Sequence, residues 1–203
     1  MLEGLVASAV VLFFIFDPFA SLPIFIGLTK DQDKAQMIKS ANRACFVAAL
    51  LFVIFAIFGQ QILDLFGISI SSFKVAGGLV LMMMAIEVIF GIELSKHKNE
   101  EVAWVVIATP ILTGPGVIAT AILLVDQYDV LTVLIAGGFA LLVTWLALHN
   151  SVYIVKKLGR NTIEIFSRII GLLIAALAVE YILSGSMEYL EQNMTALFQL
   201  LLG

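Results

Sequence analysis

The stretch DPFASLP at residues 17–23 interrupts the first apolar run of the chain, and TPILTGP at residues 109–115 interrupts the fourth. A shift of 92 residues superposes both prolines of each stretch and places Ser21 opposite Thr113. Proline lacks an N–H donor and its ring clashes with the preceding helical turn, so each stretch predicts a break inside a hydrophobic helix. The pattern therefore predicts two interrupted helices at matching positions.

The composition around these breaks is that of a membrane protein. The 203 residues are 62% hydrophobic and 13% charged, whereas a soluble domain has about a quarter charged residues. This excludes a soluble enzyme, a disordered segment and, with Cys45 as the single cysteine, a disulfide scaffold. The basic residues form no stripe, so no nucleic-acid partner is expected. No basic leader precedes the first apolar run, so we expect no cleavable signal.

Six apolar runs approach the length of about 20 residues that a helix needs to cross a bilayer. They cover residues 4–28, 44–61, 75–90, 102–125, 130–155 and 169–183. Ten of the eleven Lys and Arg residues lie in or beside the first, third and fifth loops, and Lys74 is the exception. The positive-inside rule then predicts cytoplasmic odd loops, with both termini outside the inner membrane and the even loops, 60–72 and 126–129, facing the exterior.

The two halves of the chain read as a repeat. After a two-residue gap in the shift, Gly77 meets Gly171 and Gly91 meets Gly185. Because each unit has three spans, the second copy crosses the membrane in the opposite sense. We therefore predict an all-α polytopic fold of two inverted three-helix repeats with discontinuous helices 1 and 4. Repeat one covers about 1–92, repeat two about 100–185, and a C-terminal amphipathic segment 187–203 forms an interfacial or docking helix.

Inverted repeats with interrupted helices are typical of secondary transporters, whose sites lie near the bilayer midplane where the breaks meet. We expect Pro23 in the first turn of the second half-helix, with free N–H groups around residues 20–24. The fourth span offers the same arrangement at Thr113, Gly114 and Gly116, whose glycines would let a ligand approach the backbone. Two such helix starts predict a site for an anion such as an amino acid carboxylate.

Asp17 is the first candidate for a charged contact, because a carboxylate deep in a span costs about 2.5 to 3.5 kcal/mol and needs a polar cavity. It could hold a substrate ammonium, bind Na⁺ or accept a proton, or it could simply cap a helix. Ser21 and Thr113 could bind substrate or satisfy freed carbonyls. The predicted substrate-binding residues are Asp17, Pro18, Ala20, Ser21, Leu22, Thr109, Pro110, Thr113, Gly114 and Gly116.

Two further carboxylates are reserve candidates for ion coupling beside Asp17. Glu87 and Glu180 lie within about a turn of the ends of spans three and six, where side chains reach interfacial water, so an interfacial role is the alternative. The two histidines, His97 and His149, have no ligand at metal-binding spacing, and we expect neither a metal nor an organic cofactor. The coupling ion is left open between H⁺ and Na⁺.

With DPFASLPIF at residues 17–25 and TPILTGPG at residues 109–116, the chain resembles the MarC family, also called the neutral amino acid transporter family. The family motif often reads Asp-Pro-x-Gly-Asn-x-Pro, and this sequence has Ala20 and Ser21 where glycine and asparagine are frequent. The resemblance covers nearly the whole chain. It implies a six-span inner-membrane protein that imports small neutral amino acids such as glycine and alanine. It also implies an ion gradient as the driving force and an elevator-like movement of the broken-helix unit.

These observations together predict an ion-driven carrier of small neutral amino acids that lies in the lipid bilayer and has the capacity to form a homo-oligomer. The alternative in another transport class is a channel or an exporter of small solutes or hydrophobic compounds. An enzyme is not expected, because no nucleophile, base and orienting group share one depth in the membrane.

Overall fold

The computed structural model describes residues 2–91 and 114–202, with side chains described as far as Met194. The described ranges form eight helices and no strand. The helices are α1 (Leu2–Phe16), α2 (Pro18–Leu28), α3 (Lys34–Leu65), α4 (Ile70–Phe90), α5 (Pro115–Gln127), α6 (Val130–His149), α7 (Ser151–Leu158) and α8 (Arg160–Leu202).

The helices have the length and the surface of membrane spans. Five helical stretches in the described ranges are long and apolar enough to cross a bilayer, and Pro115–Gln127 is a shorter apolar helix. The first stretch, Leu2–Leu28, consists of α1 and α2 together. Large apolar side chains stand exposed on the outer surface, as with Phe46 at 69% and Leu131 at 67%. A polytopic helical fold is therefore confirmed. The fourth predicted span, over 102–125, includes residues 102–113, which lie outside the described ranges, so a total of six spans stays a prediction.

The second span is longer than its apolar run. Helix α3 begins ten residues before residue 44 because Asp33 and Gln36 form a reciprocal capping box, with Asp33 Oδ1 accepting from the Gln36 N–H at 2.8 Å. At the other end Gly67 adopts a φ of 66°, which turns the chain into α4. The loop predicted over 60–72 is therefore a short turn over residues 66–69.

The predicted fifth span over 130–155 is wrong at its far end. Helix α6 stops at His149, and Asn150 separates it from the short helix α7. The Asn150 side-chain amide donates to the Leu146 carbonyl at 2.8 Å and so replaces a backbone partner at the helix end. Helix α7 buries only Ser151 and carries Lys156 and Lys157 in its last turn, so it lies on the surface of the bundle.

The C-terminal amphipathic segment 187–203 is not a separate helix. Helix α8 runs without a break from Arg160 to Leu202. Gly185, where the sequence suggested a boundary, lies against α4, and a Cβ there would come 2.6 Å from the Ser71 carbonyl oxygen. This glycine therefore serves close helix packing instead of ending the helix.

Helices α4 and α8 form an antiparallel pair whose contacts depend on glycines. A Cβ on Gly78 would lie 2.7 Å from the carbonyl oxygen of Ala178, and one on Gly171 would lie 2.9 Å from Ile89 Cγ1. Near one end of the pair, Lys74 Nζ lies 2.6 Å from Glu188 Oε1 and 4.0 Å from Asp126 Oδ2. The Lys74 ammonium thus joins α4 to α8 and to the end of α5.

Helix α5 packs in the centre of the bundle, against α1, α3 and α4. Gly4 of α1 packs beneath the ring of Tyr128, which follows α5, and Glu3 and Gly4 also lie beside Asp129 and Thr132 at the start of α6. Helices α1 and α6 therefore start at the same end of the bundle. Since α5 and α6 form a hairpin, α1 and α5 run antiparallel.

We predict that Gly78→Val lowers the thermal midpoint of the detergent-purified protein by about 5 °C, because overpacking a well-filled contact costs about 1 to 3 kcal/mol. The matched control is Gly138→Val on α6, where an added Cβ meets no atom within 4 Å. Both changes put the same residue into a helix. Equal midpoints for the two variants would contradict the close α4–α8 contact.

Candidate functional site

Asp17 forms the interruption of the first span. Helix α1 ends at Phe16 and α2 begins at Pro18, and Asp17 between them has φ 36° and ψ 72°. It is the one non-glycine residue with positive φ among those the structure describes. Pro18 occupies the first helical position, where its missing N–H costs no hydrogen bond. The predicted break in helix 1 is confirmed at this residue.

The Asp17 carboxylate has one occupied and one free oxygen. Oδ1 accepts a hydrogen bond from the Ala20 N–H at 3.1 Å and so caps α2. Oδ2 is buried and has no hydrogen-bond partner in the described part of the chain, and the residue as a whole is only 5% exposed. A buried carboxylate oxygen without a partner is costly, and it is a common feature of binding sites.

The expectation for Pro23 is wrong. Helix α2 starts at Pro18, so its leading N–H groups are those of residues 19 and 20, because the Ser21 N–H already donates to the Asp17 carbonyl. Pro23 lies inside the helix. The start is fixed by the Asp17 cap and by the proline ring at position 18. Pro23 instead removes one N–H from the interior of α2 and leaves the Phe19 carbonyl without its usual helical donor.

The neighbouring candidate residues have structural roles in α2. The Ser21 hydroxyl donates to the Asp17 carbonyl at 2.9 Å, which is the carbonyl-satisfying role considered for it. Leu22 is 1% exposed and belongs to the hydrophobic core. Pro18 is buried and Ala20 is half-buried beside the break. A contact of these four residues with substrate stays a prediction.

The second helix start lies at Gly114. This residue caps α5 without any side-chain hydrogen bond, and Pro115 takes the first helical position. Gly116 faces α4, where an added Cβ would collide with Met84 Sδ and lie 3.0 Å from Leu81 Cδ2. Its small size therefore serves packing against α4, and the approach of a ligand to its backbone stays a prediction. The candidates Thr109, Pro110 and Thr113 lie outside the described residues.

The two helix starts lie at similar depth. Asp17 follows Gly4 by thirteen residues along α1, and Pro115 precedes Tyr128 by thirteen residues along the antiparallel α5. Gly4 and Tyr128 are in contact, so at about 1.5 Å of rise per residue each start lies about 20 Å from that contact. The start of α5 is therefore level with the break at Asp17.

The reserve carboxylates occupy other parts of the bundle. Glu180 is exposed on α8, directly before the buried Tyr181. Glu87 is half-buried near the end of α4, four residues before Gly91. Their roles in ion coupling stay predictions. Within residues 2–91 and 114–202, no group of three His, Cys, Asp or Glu side chains is placed to hold a metal ion.

A groove of about 450 Å³ opens at the end of the bundle where α1 begins, and the sequence reasoning missed it. Hydrogen bonds from the Thr132 hydroxyl and N–H hold the pKa of the Asp129 carboxyl below its ordinary value. In the sequence, the three-residue spacing of Asp129 and Thr132 is typical of a helix N-cap and could have indicated this end of the bundle. The groove is lined by Glu3, Gly4, Ala7, Tyr128, Asp129 and Thr132.

Comparison with known proteins agrees with this architecture. Residues 2–190 match the profile of the MarC family integral membrane protein. The chain belongs to the MarC family. A UPF0056 membrane protein of Archaeoglobus fulgidus is 37% identical over 197 residues, which cover 91% of this chain and 92% of the relative. One from Methanocaldococcus jannaschii is 33% identical, covering 86% of this chain and 91% of the relative.

The family also includes bacterial relatives. The UPF0056 membrane protein YhcE of Escherichia coli is 31% identical over 189 residues, which cover 86% of this chain and 87% of the relative. No solved structure matches the chain. This MarC family protein is therefore an integral membrane protein with several apolar helices, as the resemblance implied.

We predict that Asp17→Val destabilises the protein by about 2 to 3 kcal/mol, because it removes a cap and places a β-branched residue at positive φ. Asp17→Asn keeps the fold, since asparagine caps helices and tolerates this backbone region. The control is Asp33→Val, which removes an exposed cap of α3 at an ordinary φ of −72°. Thermal midpoints measure the difference, and an equal loss for both valine variants would contradict the strained break.

Proposed function

We propose that this protein is a secondary active transporter of small neutral amino acids such as glycine and alanine, driven by an ion gradient. The observation that carries the proposal is the buried, half-satisfied carboxylate of Asp17 at a helix break, level with a second helix start. Interrupted helices at one depth are the typical binding-site construction of secondary transporters.

The two starts suit the two charges of an amino acid. The positive end of α2 is already met by Asp17 itself, whose Oδ1 accepts from the Ala20 N–H. The start of α5 has glycine as its cap and no side-chain acceptor. In the proposed site the substrate carboxylate therefore binds at the start of α5, and its ammonium binds Asp17 Oδ2. The proposed site therefore binds the substrate carboxylate at the start of α5 alone, whereas the sequence predicted an anion site formed by both helix starts.

Large core side chains near the break support selection of small substrates. Phe16 is fully buried next to Asp17, and its ring centroid lies 6.0 Å from that of Phe52 on α3. Leu22 and Phe25 are each 1% exposed on the other side of the break. A close-packed interior of this kind tolerates few added methylene groups, so glycine and alanine are the favoured substrates.

The packing of α4 and α8 supports the proposed inverted repeat. Gly171 contacts Val88, and Gly78 contacts Ile182. Gly78 is next to Gly77, which corresponds to Gly171 in the repeat alignment. In the same alignment Val88 corresponds to Ile182, so the two contacts correspond to within one residue, while Gly77 itself packs against Ala119 of α5. We propose on this basis two inverted repeats, about 1–92 and 100–185, and an elevator-like movement of the broken-helix unit.

The remaining assignments belong to the same proposal. The protein lies in the inner membrane with both termini outside, carries no cofactor, is not an enzyme, and has the lipid bilayer and a possible second copy as partners. The positive-inside distribution of its Lys and Arg residues supports this orientation.

We predict that proteoliposomes containing the protein accumulate labelled glycine or alanine when an H⁺ or Na⁺ gradient is imposed. Asp17→Asn reduces initial uptake at least tenfold, because the ammonium loses its charged partner. The matched control is Asp33→Asn. Asp33 is also an N-cap aspartate that accepts from the backbone N–H three residues later, but it lies in an exposed loop. The control retains wild-type uptake.

The same assay separates the transporter from the alternative functions. Saturation of glycine uptake, and its competition by unlabelled alanine, support the carrier. Uptake that never saturates, with no amino acid competing, would instead support a channel or an exporter of hydrophobic compounds. Full activity of Asp17→Asn would remove this carboxylate from the site.

A further inference from the structure

Helix α8 continues well past the end of the helix bundle. Gly185 of α8 packs against Ser71, which lies in the first turn of α4. One turn later, Glu188 Oε1 accepts a hydrogen bond from Lys74 Nζ at 2.6 Å. Residues 186–202, here called the α8 extension, carry the helix for about 25 Å beyond the level at which α4 starts.

One side of α8 at this end is an exposed apolar stripe. Four of its side chains are each 56% to 62% exposed, namely those of Leu183, Met187, Leu190 and Met194. Their spacing is four, three and four residues, and the sequence continues it at Leu197 and Leu201. Alternating steps of three and four residues are the heptad pattern of a coiled coil. In that register leucine holds every d position, and methionine or leucine holds every a position.

The stripe faces away from the rest of the chain. Ala178 and Gly185 mark the side of α8 that packs against α4. At 3.6 residues per turn, Leu190 and Met194 lie about 140° to 180° around the helix axis from Gly185. Helix α4 therefore cannot cover the stripe, and its cover comes either from lipid or from another protein chain.

The course of α8 argues against lipid as the cover of the extension. Helix α4 has 21 residues and so spans about 30 Å, which is the thickness of the hydrocarbon core. A helix lying on the bilayer surface would have to bend near Gly185, which two serines flank and where a bend is easiest. Gly185 is instead packed against α4, and α8 runs through it without a break. The extension therefore points away from the bilayer.

We propose that this stripe pairs with the same stripe of a second copy of the chain, as a parallel two-stranded coiled coil outside the bilayer. Two copies have the same orientation in the membrane, because the same sequence sets it. Their extensions emerge on one side, parallel and at one height, so each a or d position meets its own counterpart. The inference gives the second copy an interface and does not depend on the transported substrate.

The residues beside the stripe suit a pair of identical helices. In a parallel coiled coil the e and g positions of the two strands face each other across the seam. The first four such positions hold one charged residue, and they are Ser184, Ser186, Glu191 and Asn193. In this register Glu191 of one copy lies beside Ser186 of the other. The carboxylate therefore meets a hydroxyl and not a second carboxylate, so two copies do not repel each other there.

The stripe is also large enough for a specific interface. A leucine or methionine side chain removes roughly 60 to 120 Å² of apolar surface when it becomes buried. Six a and d positions in each of two copies then remove roughly 700 to 1,400 Å², against about 1,000 Å² for a specific interface. Confinement to one bilayer in one orientation also lowers the entropy cost of association.

The coiled coil is tested first by disulfide formation between single cysteines. In a Cys45→Ala background, Met187→Cys, Leu190→Cys and Met194→Cys are compared with Gln192→Cys, an exposed position on the other side of the helix. The full-length variants are oxidised with copper phenanthroline in dilute proteoliposomes and separated on non-reducing gels. We expect the three stripe cysteines to form dimers at least ten times faster than the control. Equal rates, or no dimer from any variant, would overturn the pairing.

The second measurement is the mass of the protein in detergent by light scattering. We expect two copies per particle for the wild type and for Gln192→Glu, and one copy for Leu190→Glu, because each coil would bury two carboxylates at one level. Circular dichroism reports whether Leu190→Glu keeps its helices. A single copy or three copies in the wild type would overturn the proposal, as would two copies in a folded Leu190→Glu.

A third measurement distinguishes a second copy from lipid. A nitrobenzoxadiazole label is attached to Leu190→Cys in the Cys45→Ala background, and the proteoliposomes contain doxyl-labelled lipid. We expect no quenching of the label, and strong quenching would place the stripe in lipid and overturn the coiled coil. No amino acid is present in these experiments. Their failure therefore leaves the proposed transport standing, and a failure of glycine uptake leaves the pairing standing.

Discussion

The structure depends on how the chain satisfies its backbone where the first span is interrupted in an apolar environment. Lipid and a packed core offer no water to unpaired amide groups, so an irregular segment at this depth needs its own partners. Asp17 supplies them locally, because its carboxylate accepts from Ala20 while its carbonyl accepts from Ser21. This leaves one carboxylate oxygen free, and the candidate site is built around that atom.

The same constraint makes the two helix starts chemically different. Helix α2 is capped by a side chain with a formal charge, whereas α5 is capped by Gly114, which has none. A symmetric pair of breaks would offer two equivalent anion sites, but this pair offers an acceptor and a donor at similar depth. Small residues hold the helices close enough for this arrangement, as Gly116 does against Leu81 and Met84.

Local rules predicted the break but not the helix boundaries around it. Pro18 stops α1 through sterics that any chain would experience, so the break could be predicted from the sequence. Proline and glycine also predicted a helix start at Pro23 and a boundary at Gly185, yet both residues lie inside helices. Pro23 lies inside α2 because the Asp17 cap starts that helix earlier, and Gly185 lies inside α8 because α4 packs against it. Neither contact can be predicted from the residues around Pro23 or Gly185 alone.

The sequence by itself determined the polytopic helical class, the interruption at Asp17 and membership of the MarC family, because these depend on composition, proline sterics and similarity along the chain. The tertiary structure alone decided that Asp17 and Pro115 lie level and that the exposed stripe of α8 faces away from α4. These features arise from contacts between residues more than one hundred positions apart, as between Gly4 and Tyr128. Such contacts are set by the packing of whole helices, which no local pattern of residues encodes.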